Sequence, residues 1–239
     1  MCGITGILGG SACTSAELRA QVQRMAQAIA HRGPDSEGQW VDAERGVALG
    51  HRRLAVVDLS PHGAQPMTSD CGRYVLVFNG EIYNHAELRG QLDPLPWRGH
   101  SDTETLLAAF RRWGVVAALP RLVGMFAFAV WDQHERTLTL ARDRMGEKPL
   151  YWGRLPNGTL VFGSELAALR AHPAWDGEID RDALTLFMRY STVPAPWSIH
   201  RGVHKLEPGC WLRLASGRPN EHGRWWSVDD AARRGLAAR

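Results

Sequence analysis

Residues 124–132 read GMFAFAVWD. Phe126, Phe128 and Val130 alternate with Ala127, Ala129 and Trp131, so a strand over this stretch has two apolar faces. A strand with one wet face alternates apolar with polar residues, whereas one apolar on both faces lies between two layers. The neighbouring text supplies partners for it. TLTLARD, LYWGRL and TLVFGSE follow, with DQHER and PNG as turns, and GITGIL (3–8), EGQWV, VALGHRRLAVVD and RYVLVFNG precede it as further strands. Residues 16–30 place Leu18, Val22, Met25 and Ile29 on one helical stripe, stopped at HRGPD by Gly33 and Pro34. Asn84 to Glu87 and Ser101 to Glu104 have capping-box spacing. The first predicts a short helix through Leu92, and the second a helix whose apolar face is Leu106, Leu107, Phe110 and Trp113. ELAALRAHP and RDALTLFMRYS read as two more helices. The sum is an α+β domain of antiparallel strands, two packed sheets with helices outside. The expected domain spans residues 2–214; residues 215–239 read as a strand remnant and then an exposed tail, the start of an interdomain linker.

With 239 residues and 44% hydrophobic content the chain has ample material for a core. Its net charge of +3 is small, Lys148 and Lys205 are its only lysines, and its arginines are scattered. No basic stripe interleaved with aromatics offers a surface to nucleic acid. No apolar run reaches the length of a membrane span, and the first residues lack the pattern of a secretion signal. Cys2, Cys13, Cys71 and Cys210 are far apart and form no CxxC pair. That usage fits neither a zinc site nor a disulfide framework and points to the cytoplasm. His200 and His204 have helical ligand spacing but flank Gly202 in a Pro- and Gly-rich segment, so no metal is expected there.

Four stretches carry possible chemistry. Cys2 follows the initiator methionine, which is commonly removed before a small residue. Removal leaves a free α-amine, with a reference pKa of roughly 7.7–8.0, beside a thiol of roughly 8.5. One residue then supplies both nucleophile and base, and Gly3 and Gly6 leave the adjacent backbone bare. On position alone the competing reading, a small buried hydrophobe, is the stronger one. In YVLVFNGEIYN, Asn79-Gly80 is the signature of a type I′ hairpin turn; alternatively the Asn79 amide and the Gly80 N–H donate to one developing oxyanion. A turn explains Asn-Gly but not the acidic Glu81 directly after it. In SDTE, helix capping suffices, yet a carboxylate fixed at a helix start suits Asp102 for a substrate ammonium. Arg53 of GHRRLAVVD reads as a solvated edge residue or as a guanidinium fork for a carboxylate. Singly, each plain reading is at least as good as its rival. Jointly, Arg53, Glu81, Asp102, an oxyanion pair and a thiol describe a site for an α-amino acid.

The chain resembles the class II glutamine amidotransferase domain, the N-terminal-nucleophile glutaminase found at the front of asparagine synthetase. MCGITGI, HRGPD, GHRRLAVVD, QPM, FNGEIYN, SDTE, GMFAFAVWD, RDRMGEKPLYW, FGSE and VHKLEPG carry the likeness, in order, over residues 2–209. The resemblance implies a four-layer αββα sandwich of two antiparallel sheets. It implies that Cys2 is the nucleophile and its α-amine the base, with Asn79 and Gly80 as oxyanion hole. Arg53 would bind the glutamine carboxylate, the backbone of Leu54, Ala55, Val56 and Val57 would line the pocket, and Glu81 and Asp102 would hold the ammonium. Attack on the side-chain amide would give ammonia and a γ-glutamyl thioester, which water cleaves to glutamate. The SGGxDS-type pyrophosphate loop of a synthetase domain is absent, so no cofactor is expected in this chain; ATP and Mg would belong to a synthetase domain or separate chain that receives the ammonia. Aspartate is the default acceptor. The RDRMGEKPLYW stretch, Trp225 and Trp226 are candidates to face that domain. Two alternatives remain open: a catalytically silent or regulatory glutamine-binding module, and an N-terminal-nucleophile hydrolase of another amide. The oligomeric state is not encoded in any of these patterns.

Overall fold

The computed structural model describes residues 1–9, 14–92 and 95–237; Cys13 lies outside these. In chain order its elements are β1 (Gly3–Leu8), α1 (Ser15–Gln27), β2 (Ser36–Asp42), β3 (Val47–Arg53), β4 (Met67–Thr68), β5 (Tyr74–Ile82), α2 (His85–Gln91), α3 (Asp102–Trp113), α4 (Val115–Ala118) and β6 (Gly124–Asp132). There follow β7 (Thr137–Arg142), β8 (Tyr151–Arg154), β9 (Leu160–Gly163), α5 (Leu166–Arg170), α6 (Arg181–Tyr190), β10 (Val203–Lys205), β11 (Cys210–Leu214), β12 (Glu221–Arg224) and α7 (Val228–Ala237). The described strands make two six-stranded sheets, ordered β10-β8-β9-β1-β3-β2 and β12-β11-β7-β6-β5-β4. All pairings within them are antiparallel.

The two-sided strand at 124–132 is β6, and its faces divide as the sequence predicts. Ala127, Ala129 and Trp131 pack with Val75, Val77, Ile4, Leu49 and Phe162 in the layer between the sheets. Phe126, Phe128 and Val130 face the other way, with Leu76 and Phe78, onto Leu106 and Phe110 of α3 and Ala118 of α4. The two phenyl rings of β6 thus meet the helices, while Ala127 and Ala129 let the sheets approach and Trp131 fills the interlayer. Each fully buried phenyl contributes on the order of 1.5–3 kcal/mol. On the far side of the first sheet, Ile7, Ala48 and Val161 pack against Leu18, Val22 and Met25 of α1 and Leu169 of α5. The architecture is the four-layer αββα sandwich.

The period of two then aims the candidate residues. In β1, Ile4 and Leu8 face the opposing sheet while Ile7 faces the helices, so Cys2 shares the inner face. In β5, Val75 and Val77 face inward and Leu76, Phe78 and Ile82 outward, so Asn79 and Glu81 share that same inner face. The two strands present their functional ends to the interlayer from opposite sheets.

Several local expectations change. Asn79-Gly80 is strand, not turn: both lie inside β5, paired with Ala127 and Phe126. The apolar stretch after Arg53 is not strand, because β3 runs out of partners; Arg52 pairs with Gly3 at the start of β1 and Arg53 with Ser36 at the start of β2. The box at Asn84 does not cap α2; its side chain instead donates to Arg121 O (3.0 Å) and accepts from Val123 N (3.0 Å). At α3 only half a box forms: Ser101 Oγ accepts from Glu104 N, but the Glu104 carboxylate accepts from Arg98 N and Gly99 N. A complete box sits at Thr14 and Glu17 instead. The second sheet also continues beyond Leu214, through β12. Trp225 stacks on Phe126 (centroids 5.9 Å apart, planes 16° apart) and donates its Nε1–H to Arg142 O at 3.2 Å. Its indole is therefore occupied within this fold.

Candidate active site

Cys2 sits at the mouth of the interlayer, half-buried. Its thiol lies 3.5 Å from Leu54 O as donor and 3.4 Å from Leu54 N as acceptor. Burial pushes the thiol pKa up, while the Leu54 N–H, the terminal ammonium and Arg53 pull it down and Asp102 adds to the rise. A thiol held protonated near neutrality needs a base to become a nucleophile. Gly3 and Gly6 do not serve substrate approach here. A Cβ on Gly6 would come within 2.5 Å of the Phe162 ring, and one on Gly3 within 2.9 Å of Ile29; both are bare because core residues pack against them.

Across the interlayer, the outer edge of β5 offers a row of backbone donors. Gln65 Oε1 accepts from Phe78 N at 2.6 Å, and Asp102 Oδ2 accepts from Ile82 N at 2.9 Å. Between them lies Gly80. Opposite it, Phe126 turns its own N–H and C=O toward Asp143, at 3.1 and 2.8 Å. By the alternation of an antiparallel ladder, the Gly80 N–H therefore also leaves β5 on the open edge. Glycine is required there, since a Cβ would fall 2.3 Å from Met125 O. Beside it Asn79 is 1% exposed, and its Nδ2 is buried with no hydrogen-bond partner. Buried donors are ordinarily satisfied, so an idle one facing a cavity marks a place for a ligand.

That cavity, of about 210 Å³, is lined by Cys2, Arg53, Leu54, Val56, Val57, Asn79, Gly80, Glu81 and Asp102, with Asp58, Gly63, Gln65, Thr103, Met125 and Lys148 among the others. All but one of the residues singled out from sequence meet there. The exception is Ala55, whose N–H donates to Asp35 Oδ2 at 2.8 Å outside the lining. Arg53 donates from one terminal nitrogen to Ser60 O at 3.1 Å and from the other to Asp58 O. Asp102 opens α3 behind the cap Ser101. Burial raises its carboxyl pKa, against the Ile82 and Thr103 N–H groups, which lower it, and Glu81 adds to the rise. An arriving cation would relieve both effects. The pocket lining thus brings together two cations, Arg53 and Lys148, three carboxylates, Asp58, Glu81 and Asp102, idle donors and a thiol.

A family model described as "Glutamine amidotransferase domain" matches residues 1–226. The chain belongs to that family. The amidotransferase domain is 39% identical over 230 residues to a putative glutamine-hydrolysing asparagine synthetase of Mycobacterium bovis, covering 90% of this chain and 35% of that protein. Against glutamine-hydrolysing asparagine synthetase 1 of Bacillus subtilis it is 39% identical over 212 residues, covering 87% and 33%. The chain therefore spans about a third of the length of these relatives. Among solved structures, glutamine phosphoribosylpyrophosphate amidotransferase of B. subtilis superposes with a TM-score of 0.67 at 21% identity, over 94% of this chain and 49% of that one. That likeness concerns the fold alone, the sandwich of two antiparallel sheets.

Other residues of the amidotransferase domain position this site, and sequence reasoning gave them no role. Arg32 donates through Nε to Cys2 O at 3.0 Å and through a terminal nitrogen to Glu165 at 2.7 Å. Ser164 accepts from Ile4 N at 3.0 Å and donates its own N–H to Ile4 O at 2.9 Å. The start of β1 is thereby clamped on both sides. Asp143, 1% exposed, accepts from the N–H groups of Phe126, Met145, Glu147 and Lys148. Arg142 donates to the carbonyls of Gly146, Lys148 and Leu206. RDRMGEKPLYW is thus knotted locally, and it carries Lys148 into the pocket, where Nζ contacts Met1 Sδ at 3.2 Å. The motifs HRGPD, FGSE and RDRMGEKPLYW held the signal; what each side chain reaches, over 130 residues away for Arg32 to Glu165, is set only by the fold. His200 and His204 go to aromatic packing on Trp175 and Trp152. Among the described residues no group of three His, Cys, Asp or Glu side chains is placed to hold a metal, and no helix is long and apolar enough to cross a membrane.

Proposed function

We propose that this domain hydrolyses L-glutamine to glutamate and ammonia, with Cys2, freed of Met1, as nucleophile. The observation that carries the reading is the pair of idle donors, Asn79 Nδ2 and the Gly80 N–H, in the pocket of the Cys2 thiol. The free α-amine of Cys2 takes the thiol proton, and sulfur attacks the side-chain amide carbon. The two donors stabilise the resulting oxyanion. The α-ammonium returns its proton to the departing nitrogen as the C–N bond breaks, leaving a γ-glutamyl thioester and ammonia. Water, deprotonated by the same amine, then cleaves the thioester. Arg53 binds the α-carboxylate, Glu81 and Asp102 the α-ammonium, and Leu54, Val56 and Val57 wall the pocket.

The ammonia goes to a synthetase portion or partner chain, which would hold ATP and Mg, in the cytoplasm. By likeness to the asparagine synthetases the acceptor is aspartate. The folded unit extends through Trp226, and α7 begins the connection to that portion. While Met1 is attached, the base is an amide nitrogen and its side chain occupies part of the pocket beside Lys148; in that state the domain binds but does not turn over. The test is glutamate and ammonia release, in equal amounts and without ATP, from protein whose mass shows Met1 removed. Cys2→Ala should abolish turnover and keep glutamine binding. Folded, processed protein that yields no glutamate would sink the reading, and equal activity on glutathione or peptide amides would replace it with that of a general amide hydrolase.

A further inference from the structure

Arg53 is not free to choose its direction. Its two terminal nitrogens are tied to Asp58 O and Ser60 O, in the loop that follows it. Gly63 makes room for it: a Cβ there would stand 2.3 Å from one of those nitrogens. The loop in turn is held by the Asp58 side chain. Asp58 Oδ1 accepts from Ser60 N at 2.8 Å, and Oδ2 accepts from His100 N at 3.1 Å, 42 residues away. Gly99 is bare because a Cβ would lie 2.6 Å from that same Oδ2. His100 is two residues before Asp102.

We infer that Asp58 is a positioning residue that sets the distance between the two arms of the amino-acid clamp, Arg53 for the carboxylate and Asp102 for the ammonium. Its backbone carbonyl aims the guanidinium, and its carboxylate fastens the Arg53 loop to the segment that launches α3. The Ser60 and His100 bonds, with Arg53 nearby, hold this carboxyl down at about 2, so it is an acceptor for both N–H groups at every working pH. Asparagine is a poor replacement: it keeps one acceptor oxygen and turns an NH₂ toward the other donor.

This rests on the glutaminase reading, and the test separates the two. In Met1-free protein, Asp58→Asn should raise KM for L-glutamine about tenfold or more, with kcat within about twofold. On 4-aminobutanamide, which has the amide and amine but no α-carboxylate, kcat/KM should match the parent. Gly99→Ala, which pushes on the same carboxylate from outside, should reproduce the pattern. In a Cys2→Ala background the same variants should weaken L-glutamine binding by a similar factor, a readout that does not need turnover. Parent and variants binding glutamine equally would overturn the assignment, and so would equal losses on both amides. Failure of both variants to fold would make Asp58 structural and overturn it too. A parent that neither binds nor cleaves glutamine would remove the glutaminase reading itself.

Discussion

Asn79 is the residue whose environment says most. Burying an amide nitrogen without a partner costs about 1–3 kcal/mol in protein mutational data, and nothing in the fold repays it. In the proposed reaction, a substrate oxygen that becomes an anion does. Asn79→Ala should therefore lower kcat by about 10²- to 10³-fold while KM for L-glutamine moves little. Steady-state kinetics on processed protein measure this, and a purely KM effect would show that Asn79 binds the ground state instead. The sequence made Asn79 visible but ambiguous, because Asn-Gly is also the strongest hairpin signal. Only strand pairing removes the ambiguity, since it depends on Ala127 and Phe126, almost 50 residues away. Cys2, Arg53, Glu81 and Asp102 were likewise legible as residue types. Arg32 and Asp58 were not, because they act through backbone atoms brought near by the fold, and such partners leave no local pattern.

At the scale of elements, periodicity did well where one rule acts alone. The stretch 3–8 is β1 residue for residue, and Leu18, Val22, Met25 and Ile29 are all buried. It did worse where two rules compete. Asn84 has the right spacing for a cap but spends its amide on the turn before β6. The apolar run after Arg53 has strand composition, yet no neighbour remains to pair with it. The β5–β6 pair is the element on which the site depends, and Gly80 is its tightest point. Gly80→Ala puts a methyl 2.3 Å from Met125 O and 2.7 Å from Phe126 Cα. Both obstacles are backbone, so the strands must part. The expected cost is about 1–3 kcal/mol in urea unfolding, together with loss of turnover as the Gly80 N–H shifts. Unchanged stability would mean that β5 and β6 are farther apart than described.

For the molecule as a whole, the two sheets are joined near the site by a polar stitch through the apolar interlayer. His51 of β3, 1% exposed, donates through Nε2 to Phe78 O of β5 at 3.1 Å. A carbonyl only accepts, so the proton is on Nε2, and Nδ1 is left buried without a partner. Protonating Nδ1 places a charge between the sheets. Burial accordingly pushes the His51 pKa down, the Phe78 bond opposes this and Arg53 adds to it, with a net value of about 4 against an ordinary 6.5. Between those values the unfolded chain binds a proton that the folded chain refuses, so stability is full above pH 6.5 and falls as pH drops toward 4. The loss for this group is about 3 kcal/mol at its limit. His172 and His204, also lowered by burial, act in the same direction. Asp58 contributes only further down, between its ordinary value near 3.8 and about 2. Urea midpoints measured from pH 8 to pH 2 should thus show a histidine limb first, and His51→Gln should reduce that limb while leaving the lower one in place. Parallel curves for parent and variant would mean that His51 titrates normally and that water already reaches the interlayer at its active-site end.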